Sequence, residues 1–397
     1  MIVNESLINR FIKYVKIDTQ SSEDSTAQPS SEKERDLAVV LVNDLKELGV
    51  QVDYDEKHCY VYGYLPANNS DKRGLGFISH MDTSPECSDT NVKPRIIENF
   101  DGRDELLSTE DFPELLNHIG EDLIATDGTT LLGADDKAGI AEIMYMLEFF
   151  NKNPDVNHRP IAVAFTPDEE IGRGTENFDI NRFKASQAYT VDGGKLGIVE
   201  YECFNAASAK IVIKGRSVHP GSAKNTMINA SKIAMELDSM LPPMQVPEHT
   251  EGYEGFYHLC SIKGTVELAE MTYIIRDHDH NIFNDRKKNL REIVNQLNDK
   301  YGQPLIEIEF KDQYSNMADV IKNNMELVER PLNILKEMGV NVCSLPIRGG
   351  TDGASLSFMG IPCPNLCTGG YNYHSRYEYA SIQEMEKTAQ LLIELAK

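Results

Sequence analysis

Five segments of this chain place acids or a histidine where short apolar or glycine-rich runs end. In Leu75-Gly76-Phe77-Ile78-Ser79-His80-Met81-Asp82 an apolar run closes on His-x-Asp. Positions i and i+2 of an extended chain point the same way. His80 could therefore ligate a metal while Asp82 takes its other ring N–H and fixes the tautomer; a surface turn is the plain alternative. In Leu131-Leu132-Gly133-Ala134-Asp135-Asp136-Lys137 two acids open a helix. One of them is expected to cap it, leaving the other free to ligate. Ile161-Ala162-Val163-Ala164-Phe165-Thr166-Pro167-Asp168-Glu169-Glu170 ends in three consecutive acids. A solvated charge run is the ordinary reading of such a triplet, but the apolar strand before it argues for a site. Tyr189-Thr190-Val191-Asp192-Gly193-Gly194 offers Asp192, or merely an Asp-Gly turn. Gly369-Gly370-Tyr371-Asn372-Tyr373-His374 offers His374, on its own only a loop histidine.

Together these segments supply two histidines and at least three carboxylates. Mixed nitrogen and oxygen ligation suits zinc, with cobalt or manganese as substitutes. Five ligands with one shared carboxylate suit two metals about 3.5–4 Å apart, between which a hydroxide attacks a carbonyl. Adjacent side chains diverge, so Glu169 and Glu170 should divide the work: one ligates and the other shuttles the proton.

Strands and helices must bring these segments together. Functional groups of open α/β sheets lie past the carboxyl ends of the strands. Strands are expected at Tyr60–Leu65, Leu75–Ser79, Ile161–Phe165, Ala188–Val191 and Cys363–Leu366, alternating with helices that include Glu32 to Leu48 and Gly139 to Phe150. Ser6 is a candidate cap for a helix burying Leu7, Phe11, Tyr14 and Val15. The alternation predicts an α/β domain with a mostly parallel sheet. The middle of the chain reads as strand (Ala209–Lys214), helix (Asn229–Leu241), paired strands (Tyr257–Lys263, Glu267–Arg276), helix (Arg286–Tyr301) and strand (Leu305–Phe310). That βαββαβ order is ferredoxin-like. Residues 208–313 are therefore expected to be inserted into a catalytic domain of 1–207 and 314–397, resumed through a helix near Ala318–Met338. At 397 residues, two domains are the natural expectation.

A formal charge of −24 disfavours nucleic acid and anionic membrane as partners. No apolar run reaches the roughly 18 residues of a membrane span, and Met1-Ile2-Val3-Asn4-Glu5 lacks a signal-peptide pattern. The seven cysteines are odd in number and hold no CxxC pair. The expectation is a cytoplasmic protein with reduced thiols.

These segments resemble the dinuclear zinc peptidase superfamily that includes carboxypeptidase G and desuccinylases, and within it the peptidase T family of tripeptide aminopeptidases. The resemblance is carried by FIKYVKIDTQS (Phe11–Ser21), ISHMDTS (Ile78–Ser84), LLGADDKAGIAE (Leu131–Glu142), TPDEEIG (Thr166–Gly172), VHPGSA (Val218–Ala223), TEGYEGFY (Thr250–Tyr257), IIRDHD (Ile274–Asp279), PIRGGT (Pro346–Thr351), Ser357–Gly370 and His374. It covers nearly the whole chain. It implies two zinc ions per subunit bridged by Asp135, one completed by His80 and Asp192 and the other by Glu170 and His374. Glu169 becomes the general base and acid, and Asp82 orients His80. His219 helps bind substrate, from its own or a neighbouring subunit of a homodimer. Arg276 binds the carboxylate of a short peptide, with Arg348 assisting. A bidentate guanidinium clamp would act as a ruler for peptide length, whereas by residue type alone Arg276 reads as a salt bridge to Asp277 or Asp279. Pro85-Glu86-Cys87-Ser88-Asp89 departs from the family's pattern. Two other functions share the same ligands: a dipeptidase or N-acyl amino acid deacylase, and a non-catalytic metal binder, which is disfavoured because all five ligands and Glu169 are present.

Overall fold

The computed structural model describes residues 5–70 and 72–397, so Met1–Asn4, read above for a leader, lie outside it. The chain divides into two compact units. One comprises Met1–Tyr201, Asp319–Leu345 and Thr351–Lys397; the other comprises Glu202–Ala318 and Pro346–Gly350.

The first unit is built on a seven-stranded sheet ordered Gln51–Asp55, Tyr60–Leu65, Ile161–Thr166, Leu75–His80, Ala188–Gly193, Asn365–Cys367, Val199–Glu200. Four central strands run parallel, and the outer pairings are antiparallel. Every residue of Leu75–His80 and Ile161–Thr166 is buried. Strands covered on both faces read as continuous apolar runs rather than alternating ones, which is why LGFIS and IAVAF stand out in the sequence. The helices Glu5–Val15 and Ile382–Ala396 pack on the helix Ala134–Lys152. A small antiparallel sheet of Gly370–Tyr371, Tyr379–Ser381, Leu123–Ala125 and Arg95–Ile97 closes over Phe100, Leu107 and Leu115.

The second unit carries a four-stranded antiparallel sheet ordered Phe256–Gly264, Leu268–Asp277, Asn205–Lys214, Ile306–Tyr314. With helices Ala230–Ser239 and His280–Tyr301 this is the βαββαβ pattern. Leu268–Asp277 alternates exposed and buried residues at its start, as a sheet with one covered face should. Ala269, Met271, Tyr273 and Ile275 meet Ile233, Leu237, Leu290 and Val294 in its core.

Three local expectations change. Ser6 lies inside the helix Glu5–Val15, and its hydroxyl donates to Glu148 instead of capping. The helix foreseen near Ala318–Met338 is two, Ala318–Ile321 and Glu326–Glu337. Neither the Asp135 nor the Asp136 side chain caps the helix Ala134–Lys152: both residues leave helical geometry (φ −85°, ψ 101° and φ −124°, ψ 32°) and kink it near its start, and Gly133 at its head, at φ +82°, has no side chain to cap with.

Candidate metal centre

Because the central strands run parallel, His80, Asp192 and the turn after Thr166 leave the sheet on the same side. Asn365–Cys367, parallel to Ala188–Gly193, delivers the segment that ends in His374. Asp135 enters from the start of its helix. All five predicted ligands therefore meet.

Asp135 sits at the centre. Its Oδ1 is 2.9 Å from His80 Nε2 and its Oδ2 is 3.3 Å from His374 Nε2. His80 Nε2 is also 3.4 Å from Asp192 Oδ1, and His374 Nε2 is 2.9 Å from Glu170 Oε2. One carboxylate thus serves two separate nitrogen–oxygen clusters. Asp82 braces both from behind. Its backbone oxygen lies 3.0 Å from His80 Nδ1, and its carboxylate accepts from the Glu169 and Glu170 amides at 3.0 and 3.1 Å. The turn that presents those two glutamates passes through Asp168 at φ +58°. The Asp168 carboxylate in turn accepts the Ser30 amide.

The charge balance of this cluster is lopsided. Burial favours the neutral ring of His80, but Asp192, Asp135 and Asp82 outweigh it and hold its pKa well above the usual value. Burial likewise opposes protonation of His374, yet Asp135 and Glu170 push it up to about 11. Burial and then Asp135 raise Glu170 to about 8. Burial lifts Asp192 to about 6, against the pull of His80. Glu169 is held well above the carboxylate range by burial and by Asp192. Five acids crowd two imidazoles, so the cluster lacks positive charge, which two divalent cations would supply.

The donor set fits such ions. One ligand atom each from His80, Asp135 and Glu170 lie within 4.8 Å of one another, as do one each from His80, Glu169 and Asp192. Glu170 Oε1 and Asp136 Oδ1 are buried with no hydrogen-bond partner, and an orphaned buried acceptor is costly unless something binds it. Cys87 belongs to no such group among the described residues.

The three predicted substrate residues lie in the second unit. His219 Nδ1 accepts the Gly221 amide at 3.1 Å, which leaves Nε2 as the protonated nitrogen. Arg276 donates to the Ala207 and Ile275 carbonyls and lies over the Tyr314 ring. The salt bridge to Asp277 or Asp279 does not form: Asp277 pairs with Arg286, and Asp279 caps the helix His280–Tyr301. Arg348 spends its donors on Gly252 O, Glu254 O, Thr250 O and Thr250 Oγ1.

Some supporting residues escaped the sequence reading. Asp136 Oδ2 accepts the His80 amide at 3.2 Å. Asp352 accepts from Thr166 Oγ1 at 2.8 Å, and burial raises its carboxyl to about 7. Lys137 is buried with Nζ donating to Ile17 O. Glu378 accepts the backbone amides of Leu132, Gly133 and Asp135. For Asp136, Lys137 and Asp352 the available signal was charge inside apolar or glycine-rich surroundings; Glu378 carried none.

A parallel sheet that gathers two histidines around one shared carboxylate, interrupted by a βαββαβ unit, is the build of a dinuclear metallopeptidase. Comparison with known proteins agrees. A family model described as a peptidase dimerisation domain matches residues 201–303. Peptidase T of Caldanaerobacter subterraneus subsp. tengcongensis is 52% identical, covering 98% of this chain and 98% of its own. Peptidase T of Geobacillus sp. is 50% identical, covering 100% and 98%. Among solved structures, an aminopeptidase, PepT, from Bacillus cereus superposes with a TM-score of 0.80 at 23% identity, covering 99% and 97%. A dinuclear metal binding peptidase of the M20 family from Bacillus subtilis gives 0.69 at 14%, covering 98% and 96%. The chain belongs to the peptidase T family.

Proposed function

We propose that this chain is a tripeptide aminopeptidase that works with two zinc ions and acts as a homodimer in the cytoplasm. The observation that carries the reading is the Asp135 carboxylate shared between His80 on one oxygen and His374 on the other. His80 and Asp192 would hold one ion, Glu170 and His374 the other, and Asp135 both. When bound, the pair supplies Lewis acidity for the scissile carbonyl and acidifies water.

The remaining steps belong to side chains. Glu169, half-buried beside Asp192 and His80 and not required as a ligand, takes the proton of the attacking water and returns it to the leaving amine. Its raised pKa favours holding that proton between the two steps. His219 offers an Nε2–H to the developing oxyanion. Arg276, whose guanidinium forms no ion pair with a carboxylate among the described residues, clamps the peptide's C-terminal carboxylate. The donors of Arg348 hold the 250–254 loop, which supports a shaping role rather than direct contact. The peptidase dimerisation match at residues 201–303 supports the homodimer. No helix among the described residues is long and apolar enough to cross a membrane.

The test is a panel of di-, tri- and tetrapeptides and acetylated amino acids, assayed with chelator and with zinc or cobalt added back. Preferred release of the N-terminal residue from tripeptides, lost on chelation and restored by metal, is expected. Preference for acetylated amino acids would assign a deacylase instead.

A further inference from the structure

Glu378 is 1% exposed and lies four residues after His374. Its Oε2 accepts the Leu132 amide at 2.7 Å and the Gly133 amide at 2.8 Å, and its Oε1 accepts the Asp135 amide at 3.0 Å. These donors form the turn into the helix Ala134–Lys152, the turn whose N-cap residue has no side chain to offer. Glu378 therefore satisfies the amides of that turn from a segment more than 240 residues away.

The same residue is tied to His374. The Glu378 amide donates to Ser375 O, the Ser375 hydroxyl donates to Asn372 O, and the Tyr377 amide donates to Ser375 Oγ. This tight turn joins the paired strands Gly370–Tyr371 and Tyr379–Ser381. His374 and Glu378 thus ride on one braced turn. Glu378 fastens that turn to the backbone of Asp135, whose carboxylate stands 3.3 Å from the His374 ring.

We infer that Glu378 is a positioning residue: it fixes the Asp135–His374 separation and thereby sets the affinity for one of the two metal ions. The inference rests on the metal reading proposed above. The affected ion is the one shared by Glu170 and His374, because that ion takes a ligand from each of the two fastened segments. The other would share only Asp135 with it and otherwise draw on His80 and Asp192, which Glu378 does not touch. A cap that served the helix alone would lower thermal stability without choosing between the ions.

The conservative change is Glu378→Gln. It keeps an oxygen for one side of the turn and turns an N–H toward amide donors on the other. Groups that orient metal ligands typically cost about 10- to 100-fold in metal affinity when lost. The experiment titrates the metal-free protein with zinc against a competing chelator, and with cobalt by its visible absorption, alongside melting curves. His374→Ala identifies which binding step belongs to Glu170 and His374. In Glu378→Gln that same step should weaken about 10- to 100-fold, with the other nearly unchanged. Glu378→Asp, which keeps the charge but withdraws it by one methylene, should fall between, and it is read in the same way if Glu378→Gln does not fold. Equal loss at both steps, or no loss while the melting temperature falls, overturns the inference. A parent protein that takes up no metal would instead overturn the reading on which it rests.

Discussion

Replacing Gly139 by alanine tests how closely the helix Ala134–Lys152 must approach the strand Ala188–Gly193. A Cβ at residue 139 would stand 1.9 Å from the Val191 carbonyl oxygen and 2.6 Å from both Asp136 Oδ1 and Ser79 Oγ. An ordinary carbon–oxygen contact needs roughly 3.3 Å, so helix and strand would have to part by roughly 1.4 Å. Helix propensity pulls the other way, since alanine is favoured over glycine by about 1 kcal/mol in a helix interior. Overpacking typically costs about 1–3 kcal/mol, and here the obstacle is backbone in a sheet, so the upper end applies and the clash wins by about 2 kcal/mol. At about 2–4 °C per kcal/mol for a unit of this size, the melting temperature should fall by about 4–8 °C. The site should suffer more than the fold. Asp135 opens this helix and Asp192 directly follows Val191, whereas metal ligands tolerate displacements of about 0.2 Å. Differential scanning fluorimetry with metal analysis by mass spectrometry measures both. A variant that melts higher than the parent and keeps two ions would refute the close-packing argument.

Glu169→Ala should lose at least about 100-fold in kcat while binding metal as the parent does; near-normal tripeptide turnover would show that another group moves the proton. Metal affinity should rise with pH from about 6 and keep rising past 8 toward about 11, because Asp192, Glu170 and then His374 must shed protons that burial and neighbouring acids retain; calorimetric titrations in buffers of different ionisation heat count the protons released. Burial raises Glu200 to about 7, although Asn365 donates to it. A carboxyl whose folded pKa exceeds its unfolded value contributes stability below the unfolded pKa that is lost as pH rises through the folded one. The melting temperature of Glu200→Gln should therefore gain on the parent between pH 5 and pH 8, and a constant gap would refute this. Arg286→Leu strands the buried Asp277 carboxylate, 2.7 Å from Arg286 Nε, and should destabilise the second unit by about 3–5 kcal/mol, measured by urea unfolding.

Much of the site was readable because its chemistry is local. His80, Asp192 and Glu170 each follow a run of buried residues whose apolar letters mark a strand, and strand ends are where such sheets work. Asp135 needed more, since an acid at a helix start also reads as a cap; the structure shows the cap coming from elsewhere. Arg276 was ambiguous because Asp277 and Asp279 follow it closely, and only the fold reveals that Arg286 and a helix N-terminus claim them. Glu378 was invisible for the complementary reason. Its partners lie more than 240 residues away, and Tyr377-Glu378-Tyr379 gives no local sign that the charge points inward. The division of the helix near 318–338 was likewise hidden, as its apolar period continues across the break.

The position of the second unit within the chain bears on how the protein is made. His80, Asp135 and Asp192 all precede Glu202, where that unit begins, and His374 follows it. In the proposed assignment, a ribosome would deliver His80, Asp135 and Asp192 before starting the βαββαβ unit, and His374 only after finishing it. Asp135 and His80 are both synthesised well before His374. With the ligands proposed above, the site would be completed only when the last segment of the chain has been made.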